Sequence, residues 1–297
     1  MVGPTGAGKS DLAVRVAAGR GVQVVGIDSA TAYRGMDIGT AKPTAADRAE
    51  VPHHMFDVVD PTEPLTVAEY QRRARDAVRA IHQQGEVPLL VGGSGLYFRA
   101  VVDPLEFPGT DPVVRDRLQS RAVSEGPSAM YRMLQEVDPE AAKRIHPANV
   151  RRTVRALEVV ELTGEKFSSY RTAWDRWESV YELWTAGLRL PKEELDRRIN
   201  ARVDRYIAQG WVQEVADLRV RAWPWSATAY QVLGYALILD HLDGKLTLEE
   251  AVEEVKRRTR KYARRQLRWF QADPRIVWFE DPDAAAEYLI ERLGRCR

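Results

Sequence analysis

Cysteine is almost absent from this chain: of 297 residues only Cys296, next to the last, carries a thiol. A single thiol excludes an internal disulfide and any cysteine-built zinc site, and it fits a reducing, cytoplasmic setting. Net charge is nearly absent too, because 44 basic residues stand against 43 acidic ones. The global balance therefore points to neither nucleic acid nor a membrane surface, so any basic footprint has to be local. No apolar run approaches the roughly 18 to 20 residues that span a bilayer. Met1 leads directly into a motif without a signal peptide, so the protein is expected to stay where it is made. Repeats and low-complexity tracts are missing, and nothing calls for an obligate protein partner. What remains is a chain 44% hydrophobic, long enough for one large domain or two modest ones.

Short apolar runs alternate with helical stretches up to about Asp103. Val22 to Ile27 and Val87 to Val91 read as buried strands, and Leu12 to Ala18 and Val67 to Gln83 as helices. That alternation predicts a parallel sheet with crossover helices. From Asp111 to about Tyr170 only helical patterns occur, broken at Gly126-Pro127, Asp138-Pro139 and His146-Pro147. A strand-like run returns between Tyr181 and Leu190, and helices begin near Lys192, Gln213 and Leu248. The expected architecture is an α/β core over residues 1–103 and 181–297, interrupted by an all-helical insertion over 104–180.

Gly3-Pro4-Thr5-Gly6-Ala7-Gly8-Lys9-Ser10 matches G-x-x-x-x-G-K-[ST] at every fixed position, and an apolar helical run follows it. The glycines let backbone N–H groups turn inward around a phosphate, and the helix N-terminus adds about half a positive charge. Lys9 supplies a full charge, and the Ser10 hydroxyl can meet phosphate or magnesium. The competing reading is a glycine-rich turn before an ordinary helix. A strand of about five apolar residues should precede such a loop, yet only Met1 and Val2 stand there. The start is therefore expected to be truncated or misassigned, and a chain extended upstream to melt higher.

An ATP hydrolase or P-loop kinase places an Asp at the end of a second strand to hold magnesium. Val87 to Val91 ends instead in Gly92-Gly93-Ser94-Gly95, and the acid at a strand end is Asp28. Ligands of open parallel sheets sit beyond the carboxyl ends of the strands, so Asp28 and Ser94 can both face whatever the loop holds. From spacing alone Asp28 is a metal ligand, a helix cap or a general base. His53-His54 suggests a metal pair, but adjacent residues rarely share one ligand geometry, which favours a structural role.

Eight basic residues and no acid lie between Lys256 and Arg268, while Val252, Val255, Thr259, Tyr262, Gln266 and Trp269 recur at helical spacing. Such a run is either a solvated helix face or a nucleic-acid footprint; the absence of acids over four turns favours the latter. A second acid-free cluster runs from Lys143 to Arg155 and includes Arg144, His146, Arg151 and Arg152.

In these features the chain resembles the bacterial tRNA dimethylallyltransferases, which place an isoprenoid group on the exocyclic nitrogen of adenosine 37 beside the anticodon. The matching residues are Gly3 to Ser10, Asp28-Ser29, Tyr33 to Pro43, Val51 to His54, Val91 to Tyr97, Arg155 to Val159, Leu162 to Gly164, Gly234-Tyr235, Arg264 to Leu267 and Trp269-Phe270. The loop alone is unspecific, whereas Tyr33 to Pro43 is highly specific. The resemblance implies a P-loop NTPase-like parallel sheet flanked by helices, with the helical insertion gripping the anticodon stem-loop. It also implies that Gly3 to Ser10 hold the diphosphate of dimethylallyl diphosphate, with Ser10 shared by Mg2+. Lys9 would stabilise the leaving group, Asp28 would accept a proton from the amine or orient it, and Arg198 or Arg202 would supply a further cation. The tRNA contacts implied are Asp28, Ser29, Ala30, Thr31, Ser94, Arg151, Arg152, Thr153, Val154, Arg155, Gln231, Gly234, Tyr235, Arg264, Arg265, Gln266 and Arg268. Thr31, Ala32, Ala236 and Gln271 depart from the usual family pattern, the last two replacing expected basic residues.

Three rivals remain open at this point. An adenylate isopentenyltransferase shares the chemistry but takes a free nucleotide, a small-molecule P-loop kinase would turn over ATP, and a non-catalytic RNA-binding protein would carry a vestigial loop.

Overall fold

The computed structural model of the protein describes residues 1–294, so Cys296 lies outside the described residues. The described chain divides into two compact units, one made of Met1–Val102 with Tyr181–Arg297 and the other of Asp103–Val180.

In the first unit β1 (Val22–Gly26) is buried at all five positions, as a strand covered on both faces must be. It pairs in parallel with β2 (His53–His54) on one side and β3 (Val87–Val91) on the other. A second parallel pair joins β4 (Thr185–Leu188) to β5 (Ile276–Phe279). Val2 connects the two sheets. Its N–H donates to Ala186 O at 2.9 Å, its carbonyl accepts from Leu188 N at 2.9 Å, and it bridges Gly92 as well as Gly187. The spatial order is thus β2-β1-β3-Val2-β4-β5, and the residue that leads into the phosphate loop sits near the middle of the parallel arrangement. The parallel sheet expected from the sequence is present. Two of its strands were not expected: β2 is only two residues long, and β5, which precedes the helix Pro282–Leu293, is a four-residue strand between turn signals.

Amphipathic helices pack on this sheet. Tyr70, Ala74, Val78 and Ile81 form the buried stripe of Val67–Gln83. The arginine helix, Lys192–Ala208, buries Leu195, Ile199, Val203 and Tyr206. The long basic helix, Leu248–Phe270, starts at a capping box in which Thr247 and Glu250 each accept from the other's backbone N–H. It buries Ala251, Val255, Thr259, Ala263, Gln266 and Phe270.

The second unit contains helices and no strand among the described residues. Three of its helices, Pro112–Glu125, Pro127–Val137 and Pro139–Ala142, carry proline in the first turn, where its missing N–H costs nothing. Its own core comprises Leu118, Met130, Leu134 and Leu157 with their neighbours. Asp138 and Glu158 are buried within it. Asp138 accepts from Ala141 N, Ser168 N and Ser168 Oγ. Glu158 accepts from Arg115 at 2.7 Å, Arg155 at 2.8 Å and Thr110 at 2.9 Å. Burial alone would raise the Glu158 pKa, yet these charge-assisted bonds hold it below the usual glutamate value.

Candidate functional site

The loop from Gly3 to Ser10 turns through Gly6 and Gly8 at φ 88° and 91°, a left-handed conformation that glycine adopts without a Cβ clash. The helix that follows, Lys9–Ala17, has no side-chain cap at its N-terminus. Its first N–H groups and its dipole are therefore left to an anion. Ser10 stands exposed in this first turn.

A cleft of about 1090 Å³ opens over the loop. One wall is the loop itself, with Thr5, Lys9 and Ser10; Asp28 and Thr31 come from the turn after β1; Arg198, Arg202 and Arg205 come from the arginine helix. Lys42, Arg48, His53, Phe56 and Asp57 line the far side. Of this second wall, Lys42 belongs to the Tyr33 to Pro43 motif and His53 to the His53-His54 segment, while Arg48, Phe56 and Asp57 come from outside both, and none of the five was expected as a site residue. Lys42 is 2% exposed and ties the wall together, donating to Tyr33 O, Asp37 Oδ1 and Asp57 Oδ1 at 2.6 Å each. His53 bonds Val51 O through Nδ1 and His54 bonds Gln23 Oε1 through Nε2, so the pair does the structural work expected of it.

Asp28 fills one of its candidate roles, that of a helix cap. Its Oδ1 accepts from Ala30 N at 3.0 Å and caps the 3₁₀ turn Ser29–Ala32, and the residue lines the cleft. Thr31 secures the same turn by donating to Asp28 O at 2.9 Å. Burial pushes the Asp28 pKa above the ordinary carboxylate value, while the Ala30 bond and the charges of Lys9 and Arg202 pull the other way without cancelling it. Lys9 shows the opposite effect. Burial, then the nearby Arg202 charge, lowers its pKa to about 7, with Asp28 partly compensating. Its Nζ donates to Pro4 O at 2.8 Å, folded back onto the loop.

Arg198 and Arg202 differ. Arg198 is engaged by Glu194 through Nε at 2.6 Å. Arg202 donates to the Thr5 hydroxyl of the loop and lies over the Tyr206 ring, and its buried Nε has no hydrogen-bond partner among the described residues. A buried, unpaired guanidinium nitrogen at the loop fits an anionic ligand. Arg202 is the better placed of the two.

The structure separates the expected tRNA contacts. Arg264, Arg265 and Arg268 are exposed on the basic helix, together with Lys261. At about 100° per residue these four share one stripe, opposite the buried Thr259, Ala263, Gln266 and Phe270. The N-terminal half of the basic run is different, because Lys256 pairs with Asp204 and Glu253, and Arg257 and Arg258 both pair with Glu254. The acids lie one turn earlier in sequence or on the arginine helix, outside the window that looked acid-free. Arg151 and Arg152 are exposed, and Ser94 is half-buried. Thr153 and Val154 are 1% and 3% exposed and face the core of the second unit, so their side chains are not offered to RNA. Arg155 is turned inward to Pro108 O, Gly109 O and Glu158. Tyr235 is fully buried and donates to Glu214, which also accepts the backbone N–H groups of Asp37 and Ile38. A Cβ on Gly234 would run into the Trp211 ring. Gly234-Tyr235 is therefore a packing motif, and its family signature reflects the core. Gln266, 4% exposed, faces the loop and not solvent. Gln231 is exposed, and Ala30 and Ser29 are half-buried beside Asp28.

The chain is similar to proteins whose activity is known. A protein-family model described as IPP transferase matches residues 31–273. The tRNA dimethylallyltransferase of Moorella thermoacetica is 48% identical over 296 residues, covering 97% of this chain and 91% of that protein. That of Salinispora tropica is 50% identical, covering 99% and 91%. Among solved structures, the tRNA isopentenylpyrophosphate transferase of Bacillus halodurans aligns with a TM-score of 0.71 at 38% identity, over 99% of this chain and 94% of that one. A eukaryotic dimethylallyltransferase acting on tRNA aligns with a TM-score of 0.79 at 27% identity, over 95% and 73%. Near-complete coverage at this identity, with the family match running from Thr31 to Asp273, decides the matter: the chain belongs to the IPP transferase family.

Proposed function

We propose that this protein transfers the dimethylallyl group of dimethylallyl diphosphate to the N6 amine of adenosine 37 in tRNA, releasing pyrophosphate. The observation that carries the reading is one cleft lined by a phosphate loop, Lys9, Arg202 and a half-buried carboxylate, Asp28, whose pKa is raised. In the reaction the amine nitrogen forms a bond to the allylic carbon as the carbon–oxygen bond to the diphosphate breaks. Negative charge then builds on the leaving oxygens, where Lys9, Arg202 and the loop N–H groups stabilise it. The amine proton passes to Asp28. A base stacked in an anticodon loop cannot enter such a cleft, so it is extruded, at a cost of a few kcal/mol that backbone contacts offset.

Magnesium fits this site as a companion of the substrate. Among the described residues no group of three or more His, Cys, Asp or Glu side chains is arranged to hold a metal. The exposed Ser10 hydroxyl at the helix N-terminus would hold the ion together with the substrate diphosphate, in keeping with the preference of Mg2+ for phosphates and water. Bound there, it would neutralise charge on the leaving group.

The exposed stripe of Lys261, Arg264, Arg265 and Arg268 supports RNA as the acceptor, as do the exposed Arg144, Arg151 and Arg152 on the second unit, whose role is to grip the anticodon stem-loop. If the four stripe residues meet phosphates, tRNA affinity falls with salt at a log–log slope of about −3 to −4. The double substitution Arg264→Ala/Arg268→Ala is expected to flatten that slope by about 1.5. Filter binding between 50 and 300 mM salt checks this, and an unchanged slope would remove the stripe from the interface.

The deciding experiment incubates the protein with labelled dimethylallyl diphosphate and either tRNA or AMP. Label is expected on tRNA alone. Transfer to AMP would favour the adenylate isopentenyltransferase reading, and ATP turnover without a prenyl donor the kinase reading. The family membership and the absence of an acid at the end of β3 both count against a kinase. No helix among the described residues is long and apolar enough to cross a membrane.

A further inference from the structure

Gln266 occupies a position that the reaction as described leaves unexplained. It projects from the buried face of the basic helix, one residue from Arg265 on the exposed stripe, and is 4% exposed. Its Oε1 accepts the backbone N–H of Thr5 at 2.9 Å, 261 residues away in the phosphate loop. The donor is a main-chain N–H, so the amide orientation is fixed: oxygen toward the loop, nitrogen away from it. Tyr262, one turn earlier on the same helix, has its pKa raised by burial first and then by the nearby Asp28 carboxylate.

Space for this arrangement is made by glycine. A Cβ on Gly93, in the turn after β3, would collide with the Gln266 amide, and one on Gly95 would collide with the Trp269 ring. The Gly92-Gly93-Ser94-Gly95 turn thus serves to seat the basic helix against the loop. Thr5 is consequently held from two sides, by Gln266 at its N–H and by Arg202 at its hydroxyl.

We propose that Gln266 is a positioning residue for the diphosphate, which sets the conformation of the loop at Thr5 and so ties it to the RNA-facing helix. Resting on the functional reading above, the assignment replaces the direct tRNA contact expected for Gln266 from sequence. A loop donor consumed by a side chain is not available to the anion, so its value is preorganisation: the remaining N–H groups converge without rearrangement when the diphosphate arrives.

Two substitutions test this in the full-length protein. Gln266→Leu removes the acceptor, and Gln266→Glu keeps an acceptor for Thr5 N–H while placing a negative charge behind the loop. Calorimetric titration with inorganic pyrophosphate and Mg2+ is expected to show about a tenfold loss of affinity for Gln266→Leu and at least as large a loss for Gln266→Glu. Both should bind tRNA within about twofold of native, and the KM for dimethylallyl diphosphate should rise more than kcat falls. Gly93→Ala, which displaces the same amide, should reproduce the direction. Native pyrophosphate affinity in either Gln266 variant would overturn the proposal, as would a loss confined to tRNA binding. Native protein that fails to bind pyrophosphate would instead overturn the reading of the loop, and this proposal with it.

Discussion

Asp28→Asn is expected to lower the single-turnover rate of prenyl transfer by about 10³-fold while leaving tRNA affinity within about twofold of native. The substitution is chosen because asparagine keeps the Oδ1 acceptor that caps Ser29–Ala32, so the turn retains its bond from Ala30 N. What it removes is the ability to take a proton. An exocyclic adenine amine is a poor nucleophile that becomes strongly acidic once alkylated, and a positioned base contributes about 10²–10⁴ to such a step. The environment of Asp28 suits that task, since burial raises its pKa toward the working range while Lys9 and Arg202 keep the rise in check. The native rate should therefore climb with pH on the acid side as Asp28 ionises, and the asparagine variant should lose that limb. Rapid-quench measurements with labelled donor, beside filter binding of tRNA, separate the two effects. Comparable losses of rate and affinity would contradict the role as base.

The sequence carried the parts of this site that are contiguous. Gly3 to Ser10 is legible because a phosphate loop draws its glycines, lysine and hydroxyl from eight consecutive residues, and Asp28 because it follows a valine-rich buried strand. The partners of these groups come from far along the chain and leave no local trace. Nothing near Gln266 announces that its amide reaches Thr5, and Arg198 and Arg202, one turn apart on the same face, look alike until the structure pairs one with Glu194 and the other with Thr5 of the loop. Charge runs mislead because the neutralising acids stand just outside the run or on another helix. Lys256, Arg257 and Arg258 count as basic in sequence but are neutralised by Glu253, Glu254 and Asp204, so only the later half of the helix remains to meet RNA. Family motifs blur packing with function. Gly234-Tyr235, Thr153 and Val154 are as recognisable as Asp28, yet they are buried. Short elements escape as well: β2 and β5 become strands through parallel partners, and periodicity has too few residues there to register.

Lys9→Ala is expected to reduce transfer by about 10²–10³-fold, the range found when one donor to a developing oxyanion is removed. It should also abolish a specific pH dependence of donor binding. In the ligand-free cleft burial and Arg202 depress the Lys9 pKa to about 7, and a diphosphate beside Nζ must raise it again. Below pH 7 the lysine is protonated in both states, and this group adds no pH dependence. Between about 7 and the higher value in the complex, the free site is largely neutral and the bound site charged. Binding then takes up a proton, and affinity falls by up to about tenfold per pH unit as the pH rises through that window. Titration calorimetry with dimethylallyl diphosphate at pH 8, in two buffers of different ionisation enthalpy, reads the uptake directly. The ligand's own phosphate titrates near 6 and contributes equally to both proteins. The difference between native and Lys9→Ala therefore belongs to the lysine, and a difference of zero would mean that Lys9 is already charged before the diphosphate arrives.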